Sequence, residues 1–251
     1  GESLRDTLEV FSKMAPDFLI LRDKHTETLE HAQEMFQCSI INAGSGMLSH
    51  PSQALLDLYT MKKELADKGK TLDGLRIALI GDLKNGRAVH SLCKLLAHYK
   101  DITFNLIAPQ ELDLSQELEG FLIEQGHKTQ KYSKLEEGIK DVEIVYVTRT
   151  QEERFSSQDD ADKYRGLFRL NESIYTEHCA PNTVIMHPLP RDSRTEAQEL
   201  DADMNQNPNL AIFRQADNGV VIRMALFALV LDVVSQVHNH SQPVTWFNTK
   251  R

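Results

Sequence analysis

Short apolar segments alternate with amphipathic segments of helical period along the 251-residue chain. Apolar runs bounded by polar or glycine residues are typical of buried strands, whereas apolar residues three and four apart indicate helices. We predict strands over 17–22, 39–44, 76–81, 102–108, 143–149 and 183–191. Helices are predicted over about 26–37, from Pro51 onwards, between the later strands, and over about 216–236. Such alternation indicates an α/β fold with a mainly parallel sheet.

The polar stretch 67–74 separates two groups of elements, so we expect two doubly wound units. The almost wholly apolar stretch 220–234 is too short to cross a bilayer, and Arg223 and Asp232 interrupt it. We predict that it forms a buried helix. The last residues, SQPVTWFNTKR, have the composition of a tail or linker.

Three arginines lie where predicted strands end. Arg22, Arg87 and Arg149 each lie at or just beyond the carboxyl end of a strand, where open α/β sheets bind ligands. Each could instead form a surface salt bridge. Because guanidinium groups match carboxylates and phosphates, three at equivalent positions predict a small ligand with several anionic groups.

The turn GDLKNGRAVHSL, residues 81–92, follows a strand but has neither glycine-rich nucleotide motif. A dinucleotide fingerprint requires G-x-G-x-x-G, and a P-loop requires G-x-x-x-x-G-K-[ST]. The sequence therefore argues against NAD or ATP at this turn.

His50 immediately precedes a predicted helix, and Gln53 lies in its first turn. The positive end of a helix disfavours an imidazolium, so we expect a neutral His50 that can polarise a carbonyl oxygen. The alternative is a capping histidine that packs on a neighbour.

The segment HPLPR, residues 187–191, places two prolines around Leu189. Either X–Pro bond could be cis, and a rigid turn could present the Leu189 carbonyl to a ligand amine. The alternative is a stiff loop without a ligand. We expect His187 to be structural rather than catalytic.

The composition excludes several classes of protein. The net charge of −9 argues against a nucleic-acid surface, and no segment is long enough to span a membrane. The first residues contain no apolar signal core. Cys38, Cys93 and Cys179 are too far apart to suggest zinc or a disulfide framework, so we expect a protein of the reducing cytoplasm.

Six stretches, in order, resemble the transcarbamoylases: GESLRDT, INAGSGMLSHPSQALLDL, IALIGDLKNGRAVHSL, YVTRTQEER, IMHPLPR and QADNGVVIRMALFALVL. Within that family the chain is similar to the aspartate-type catalytic chains. An ornithine-type enzyme would be expected to have Cys in place of Pro188 and an acidic Ser-Met-Gly stretch. The resemblance implies two doubly wound parallel-sheet domains, the first of them incomplete here.

The resemblance also implies an activity: transfer of a carbamoyl group from carbamoyl phosphate to L-aspartate, in pyrimidine biosynthesis, without a cofactor. It implies a homotrimer with sites between subunits, in an assembly that can include regulatory chains. The implied catalytic residues are Arg22 and His50, which also bind carbamoyl phosphate, and Gln53 would hold its carbamoyl NH2 group. The implied aspartate-binding residues are Arg87 on the α-carboxylate, Arg149 and Gln151 on the side-chain carboxylate, and Leu189 and Pro190 at the amine. Arg154 would order the loop that carries Arg149.

The chain also departs from that family, which has a Ser-x-Arg-Thr-Arg turn and a mobile Ser- and Lys-bearing loop before the GESLRDT stretch. Neither occurs here. The segment DSRTEAQ at 192–198 matches the Ser-x-Arg-Thr-Arg turn only in part, because it lacks the second arginine. A trimmed chain, an omitted start and a naturally short homologue are the alternatives. We therefore expect four parts: a remnant carbamoyl phosphate domain (1–66), an aspartate domain (67–207), a returning helix (208–236) and a tail (237–251). A non-catalytic homologue, or an enzyme for another amino acid, remains the alternative function.

Overall fold

The computed structural model describes residues 3–46 and 49–240, which form an α/β architecture. The helices are α1 (Leu4–Lys13), α2 (Glu27–Met35), α3 (Pro51–Ala66), α4 (Arg87–Leu96), α5 (Gln116–Glu124), α6 (Leu135–Gly138), α7 (Gln158–Asp162), α8 (Glu172–His178), α9 (Ile212–Val230) and α10 (Val234–His240). The strands are β1 (Phe18–Asp23), β2 (Ser39–Ser45), β3 (Arg76–Ile80), β4 (Thr103–Ile107), β5 (Lys128–Tyr132), β6 (Ile144–Val147) and β7 (Val184–Met186).

The strands form two parallel sheets. One has five strands in the order β5-β4-β3-β6-β7, and the other pairs β1 with β2. In the larger sheet Ile77 is in register with Phe104 on one side and Ile144 on the other. The predicted α/β fold with parallel strands is confirmed.

Helices cover both faces of the larger sheet, which explains why its central strands are apolar without alternation. On β3, Ile77 and Leu79 pack into one hydrophobic cluster, while Ala78 and Ile80 pack into another. All four side chains are fully buried. Successive residues of a strand point to opposite faces, so a parallel sheet with two covered faces needs an unbroken apolar run.

Two strand predictions differ from the structure. The apolar pattern does not predict β5, because its sequence KTQKY is polar and lies mostly exposed at the edge of the sheet. The strand predicted over 183–191 ends at Met186, so HPLPR is a turn and not strand. An edge strand needs less apolar character than a central one, which removes the pattern that would have identified it.

The prediction of one buried helix over about 216–236 is wrong. Helix α9 ends at Val230, and Asp232 has a φ of 53° before α10 begins. Val220, Met224 and Leu229 are 60%, 65% and 64% exposed. The buried side of α9 is instead partly polar, because Gln215 and Asn218 face helix α3. The apolar side chains therefore form a large exposed surface.

Helix α3 connects the two sheets by packing on β2, α4 and α9. Its contact with α9 is polar: Asn218 donates to the Thr60 hydroxyl at 2.9 Å, and Arg214 binds Glu64 through two nitrogens at 2.6 and 2.9 Å. These bonds fix α3 against α9. The first turn of α3 then lies near the carboxyl ends of strands from both sheets.

Candidate active site

One cavity of about 330 Å³ is lined by every site residue that the sequence singled out. These are Arg22, His50, Gln53, Arg87, Arg149, Gln151, Leu189 and Pro190. They come from the end of β1, the start of α3 and the turns after β3, β6 and β7. The position of the cavity therefore agrees with the rule that α/β proteins bind ligands at the carboxyl ends of their strands.

The cavity is strongly positive. Five arginines line it, and Glu153 is the one acidic side chain among its described lining residues. Arg223 was not predicted as a site residue, and Arg154 was expected only to order a loop, whereas both side chains line the cavity. The signal for Arg223 was a charge within an otherwise apolar helix.

The turn after β3 is shaped by Gly81 and Asp82. Gly81 has a φ of 109°, and a Cβ there would lie 2.2 Å from the carbonyl oxygen of Thr148. The fully buried Asp82 carboxylate accepts bonds from the backbone N–H groups of Asn85, at 3.0 Å, and Gln151, at 3.1 Å. Asp82 thus joins the turns that follow β3 and β6.

Arg87 is the first residue of helix α4. Its guanidinium packs against Gly44, where a Cβ would lie 3.0 Å from Cζ, and donates to the Gly46 carbonyl at 3.1 Å. Burial, followed by the charges of Arg22 and Arg154, lowers the pKa of Arg87. Because these three guanidinium groups repel one another, binding of an anion between them is favoured.

His50 is held at the start of α3, where its backbone N–H donates to the Ser91 hydroxyl at 2.8 Å. Burial, then the charges of Arg87, Arg22 and Arg223, lower its pKa to about 4. The ring is therefore neutral at pH 7, as expected. The cause is burial and the neighbouring arginines, whereas the sequence had suggested the helix dipole. The Ser52 hydroxyl lies 3.4 Å from Nδ1, and in the tautomer in which it donates to Nδ1, Nε2 carries the proton.

Gln53 is bound to a buried carboxylate that the sequence did not single out. Its Nε2 donates to Asp57 at 2.9 Å, and Asp57 also accepts from Gln215 and Tyr146, each at 2.6 Å. Burial raises the pKa of Asp57 to about 6, against the opposing effect of these three hydrogen bonds.

Arg149 is paired with Glu153, four residues further on. Its Nη2 and Nη1 donate to the two carboxylate oxygens at 2.7 and 3.2 Å. Although burial alone would raise the pKa of Glu153, the bonds and charge of Arg149 and the charge of Arg154 lower it overall. Arg154 itself donates to the Gly46 carbonyl at 3.4 Å, while its buried Nε has no hydrogen-bond partner among the described residues.

The turn after β7 is held by His187, which is 1% exposed. Its Nδ1 accepts from the Leu189 N–H at 2.8 Å, so Nε2 carries the proton that it donates to Glu199 at 2.7 Å. Leu189 has a φ of 55°, and the Leu189–Pro190 bond is cis, one of the two bonds considered from the sequence. These contacts agree with a structural role for His187.

Among residues 3–46 and 49–240, no three His, Cys, Asp or Glu side chains form a cluster that could hold a metal ion. Within the same residues, no helix has both the length and the apolar composition needed to cross a membrane.

The fold and the cavity agree with the chain's matches to known proteins, which define it as a carbamoyltransferase. Residues 1–63 match the family described as aspartate/ornithine carbamoyltransferase, carbamoyl-P binding domain, and residues 73–230 match the corresponding Asp/Orn binding domain. The chain therefore belongs to the aspartate/ornithine carbamoyltransferase family.

Several of its relatives are aspartate carbamoyltransferases. The aspartate carbamoyltransferase catalytic subunits of Saccharophagus degradans and Cellvibrio japonicus are both 54% identical to it, over 100% of this chain and 74% of each relative. A solved aspartate transcarbamoylase from Trypanosoma cruzi, in complex with aspartate and phosphate, has a TM-score of 0.78 and 34% identity. That match covers 90% of this chain and 68% of the solved one. The catalytic subunit from M. jannaschii has a TM-score of 0.77 at 33% identity, over 96% and 73%.

Proposed function

We propose that this chain is an aspartate carbamoyltransferase that converts carbamoyl phosphate and L-aspartate to N-carbamoyl-L-aspartate and phosphate, in pyrimidine biosynthesis. The observation that carries the proposal is that five guanidinium groups and a neutral imidazole line one cavity. Both substrates are anions, so a positive cavity screens their repulsion and fixes their approach. The names of the relatives, and the aspartate and phosphate bound to a solved one, support the same reaction.

Arg22, His50 and Gln53 bind carbamoyl phosphate in this proposal. The amine of aspartate attacks the carbonyl carbon, and a negative charge grows on the carbonyl oxygen. The Nε2–H of His50 and the Arg22 guanidinium stabilise that charge, as donors in an oxyanion hole do. The C–N bond forms, the bond from carbon to the phosphate oxygen breaks, and the departing phosphate accepts the amine proton.

Arg87 holds the α-carboxylate of aspartate, while Arg149 and Gln151 hold its side-chain carboxylate. The Leu189 carbonyl, in the turn shaped by Pro190, accepts from the attacking amine. Bidentate guanidinium–carboxylate pairs suit this task because they fix orientation as well as charge.

The charge of the cavity favours aspartate over ornithine. Ornithine would bring an ammonium group that needs a carboxylate, and Glu153 already binds Arg149 through both oxygens. Five arginines beside such an ammonium would repel it. The proposal therefore includes specificity for the dicarboxylic amino acid.

Assembly and location are part of the same proposal. We expect a cytoplasmic homotrimer, in an assembly that can include regulatory chains, with the domain division at residues 66 and 67. The exposed apolar side chains of α9 supply a surface that association would cover, and the three free cysteines suit a reducing compartment. Sedimentation equilibrium tests the trimer; a monomer at micromolar concentration would contradict it.

The test of the activity is a product assay with carbamoyl phosphate and either L-aspartate or L-ornithine. We expect N-carbamoyl-L-aspartate and phosphate in equal amounts, and no measurable citrulline. Binding of aspartate without turnover would instead indicate the non-catalytic alternative, and preferential use of ornithine would contradict the assigned specificity.

A further inference from the structure

We propose that Asp57 is a positioning residue that determines which end of the Gln53 amide faces the cavity, and that it thereby makes the site select a carbamoyl NH2 group. This inference rests on the proposed function, because it concerns how the first substrate is recognised. Asp57 lies behind Gln53 and outside the cavity lining.

The geometry around Asp57 is that of an acceptor surrounded by donors. The residue is fully buried, and its Oδ1 accepts from Gln53 Nε2 at 2.9 Å and from Gln215 Nε2 at 2.6 Å. Its Oδ2 accepts from the Tyr146 hydroxyl at 2.6 Å. An ionised carboxylate can only accept hydrogen bonds, so each amide must turn its NH2 group towards Asp57.

Gln215 gives an independent check on this orientation. Its Oε1 accepts the backbone N–H of His187 at 3.0 Å. A backbone N–H can only donate, so the oxygen of Gln215 must face His187 and its nitrogen must face Asp57. Asp57 therefore orients one amide in the way that a second, unrelated contact requires.

The same orientation at Gln53 leaves its Oε1 available. Gln53 lines the cavity, and among the described residues no donor reaches that oxygen. A carbonyl oxygen there accepts a bond from a carbamoyl NH2 group, whereas a reversed amide would oppose one NH2 to another. A methyl group in the same place would leave Oε1 desolvated and unpaired.

Folding stability does not explain the presence of Asp57. Its burial is unfavourable for the charged form, as the raised pKa of about 6 reflects, and no described Lys or Arg forms an ion pair with it. An asparagine of the same size would accept from two of the three donors without burying a charge. A carboxylate presents an acceptor to both amides whichever way it is turned, whereas an asparagine would do so only with its oxygen towards them.

The test compares two ligands that differ only in this group. Carbamoyl phosphate has an NH2 where acetyl phosphate has a methyl, so the ratio of their dissociation constants reports the Gln53 contact. Asp57→Leu leaves no acceptor behind Gln53, so the Gln53 amide can present either end to the cavity. We expect the preference for carbamoyl phosphate to fall about tenfold, which corresponds to about 1.4 kcal/mol.

Tyr146→Phe is the matched control, because it removes a donor from the same carboxylate without reversing Gln53. Its ratio should equal that of the unsubstituted protein even if the protein is less stable. An unchanged ratio in Asp57→Leu, or equal weakening of both ligands, would show that Asp57 is only structural and overturn the inference. An unsubstituted protein that neither binds nor turns over carbamoyl phosphate would overturn the proposed function instead.

If Asp57→Leu does not fold, a crystal structure of the unsubstituted protein with carbamoyl phosphate decides the matter. We expect Gln53 Nε2 to remain on Asp57 while Oε1 accepts from the carbamoyl nitrogen. A Gln53 side chain that leaves Asp57 to bind the ligand would refute the inference.

Discussion

His50 is held neutral by its surroundings, and replacing it with glutamine tests this directly. The pKa of His50 is lowered from 6.5 to about 4, first by burial and then by the charges of Arg87, Arg22 and Arg223. In the unfolded chain the imidazole regains its ordinary pKa. The unfolded state therefore binds more protons than the folded state between pH 6.5 and pH 4, and folding stability falls as the pH falls through that range.

The magnitude follows from the size of the shift. Each pKa unit corresponds to about 1.4 kcal/mol, so the full loss approaches about 3 kcal/mol below pH 4 and reaches about 2 kcal/mol at pH 5. These are upper limits, because solvent partly screens the half-buried ring. Glutamine keeps an N–H donor but does not titrate, so His50→Gln lacks this contribution.

The assay is urea unfolding of both proteins at pH 7 and pH 5. Other groups that titrate in this range, Asp57 among them, are common to the two proteins and cancel in the difference. We expect the unsubstituted protein to lose more stability than His50→Gln between the two pH values, by up to about 2 kcal/mol. Equal losses would show that His50 keeps an ordinary pKa, and the argument for a neutral donor at pH 7 would then be wrong.

Three further substitutions test the turn and the arginines. Gly81→Ala should lower the free energy of unfolding by more than about 2 kcal/mol, because its Cβ would lie 2.2 Å from a carbonyl oxygen at a φ of 109°. The control Gly120→Ala, in helix α5 with open space around it, should be neutral or stabilising by up to about 1 kcal/mol; equal losses in urea unfolding would contradict the steric argument. Arg149→Ala should lower kcat/KM for aspartate about a hundredfold while changing stability by less than about 1 kcal/mol, and unimpaired use of aspartate would remove Arg149 from the site. Arg223→Met should raise the pKa of His50, measured by NMR titration, and an unchanged value would mean that Arg223 does not act on the ring.

The sequence predicted the residues of the cavity better than the fold around it. Arg22, Arg87 and Arg149 could be found because a topological rule places strand ends together, and that rule needs only the order of the strands. His50 and Leu189 followed from a helix start and a proline-bounded turn. These signals are local in the chain.

The features that were missed depend on contacts between distant segments. From the sequence alone, Asp57 on α3 would be expected to be a solvent-exposed charge. Only the packing of α9 and β6 against α3 shows that it is buried. Strand β5 lacks apolar character because it lies at an edge. Helix α9 was expected to bury its apolar side chains, but its buried face includes Gln215 and Asn218, which form hydrogen bonds with α3.

The central claim is that guanidinium groups from separate strand ends seat a dicarboxylic amino acid beside an activated carbonyl. A crystal structure of the protein with carbamoyl phosphate and succinate, an unreactive analogue of aspartate, tests it most directly. We predict one succinate carboxylate on Arg87 and the other on Arg149, with the carbamoyl oxygen within hydrogen-bond distance of His50 Nε2. Succinate bound away from both arginines, or a carbamoyl oxygen without contact to His50, would contradict the account.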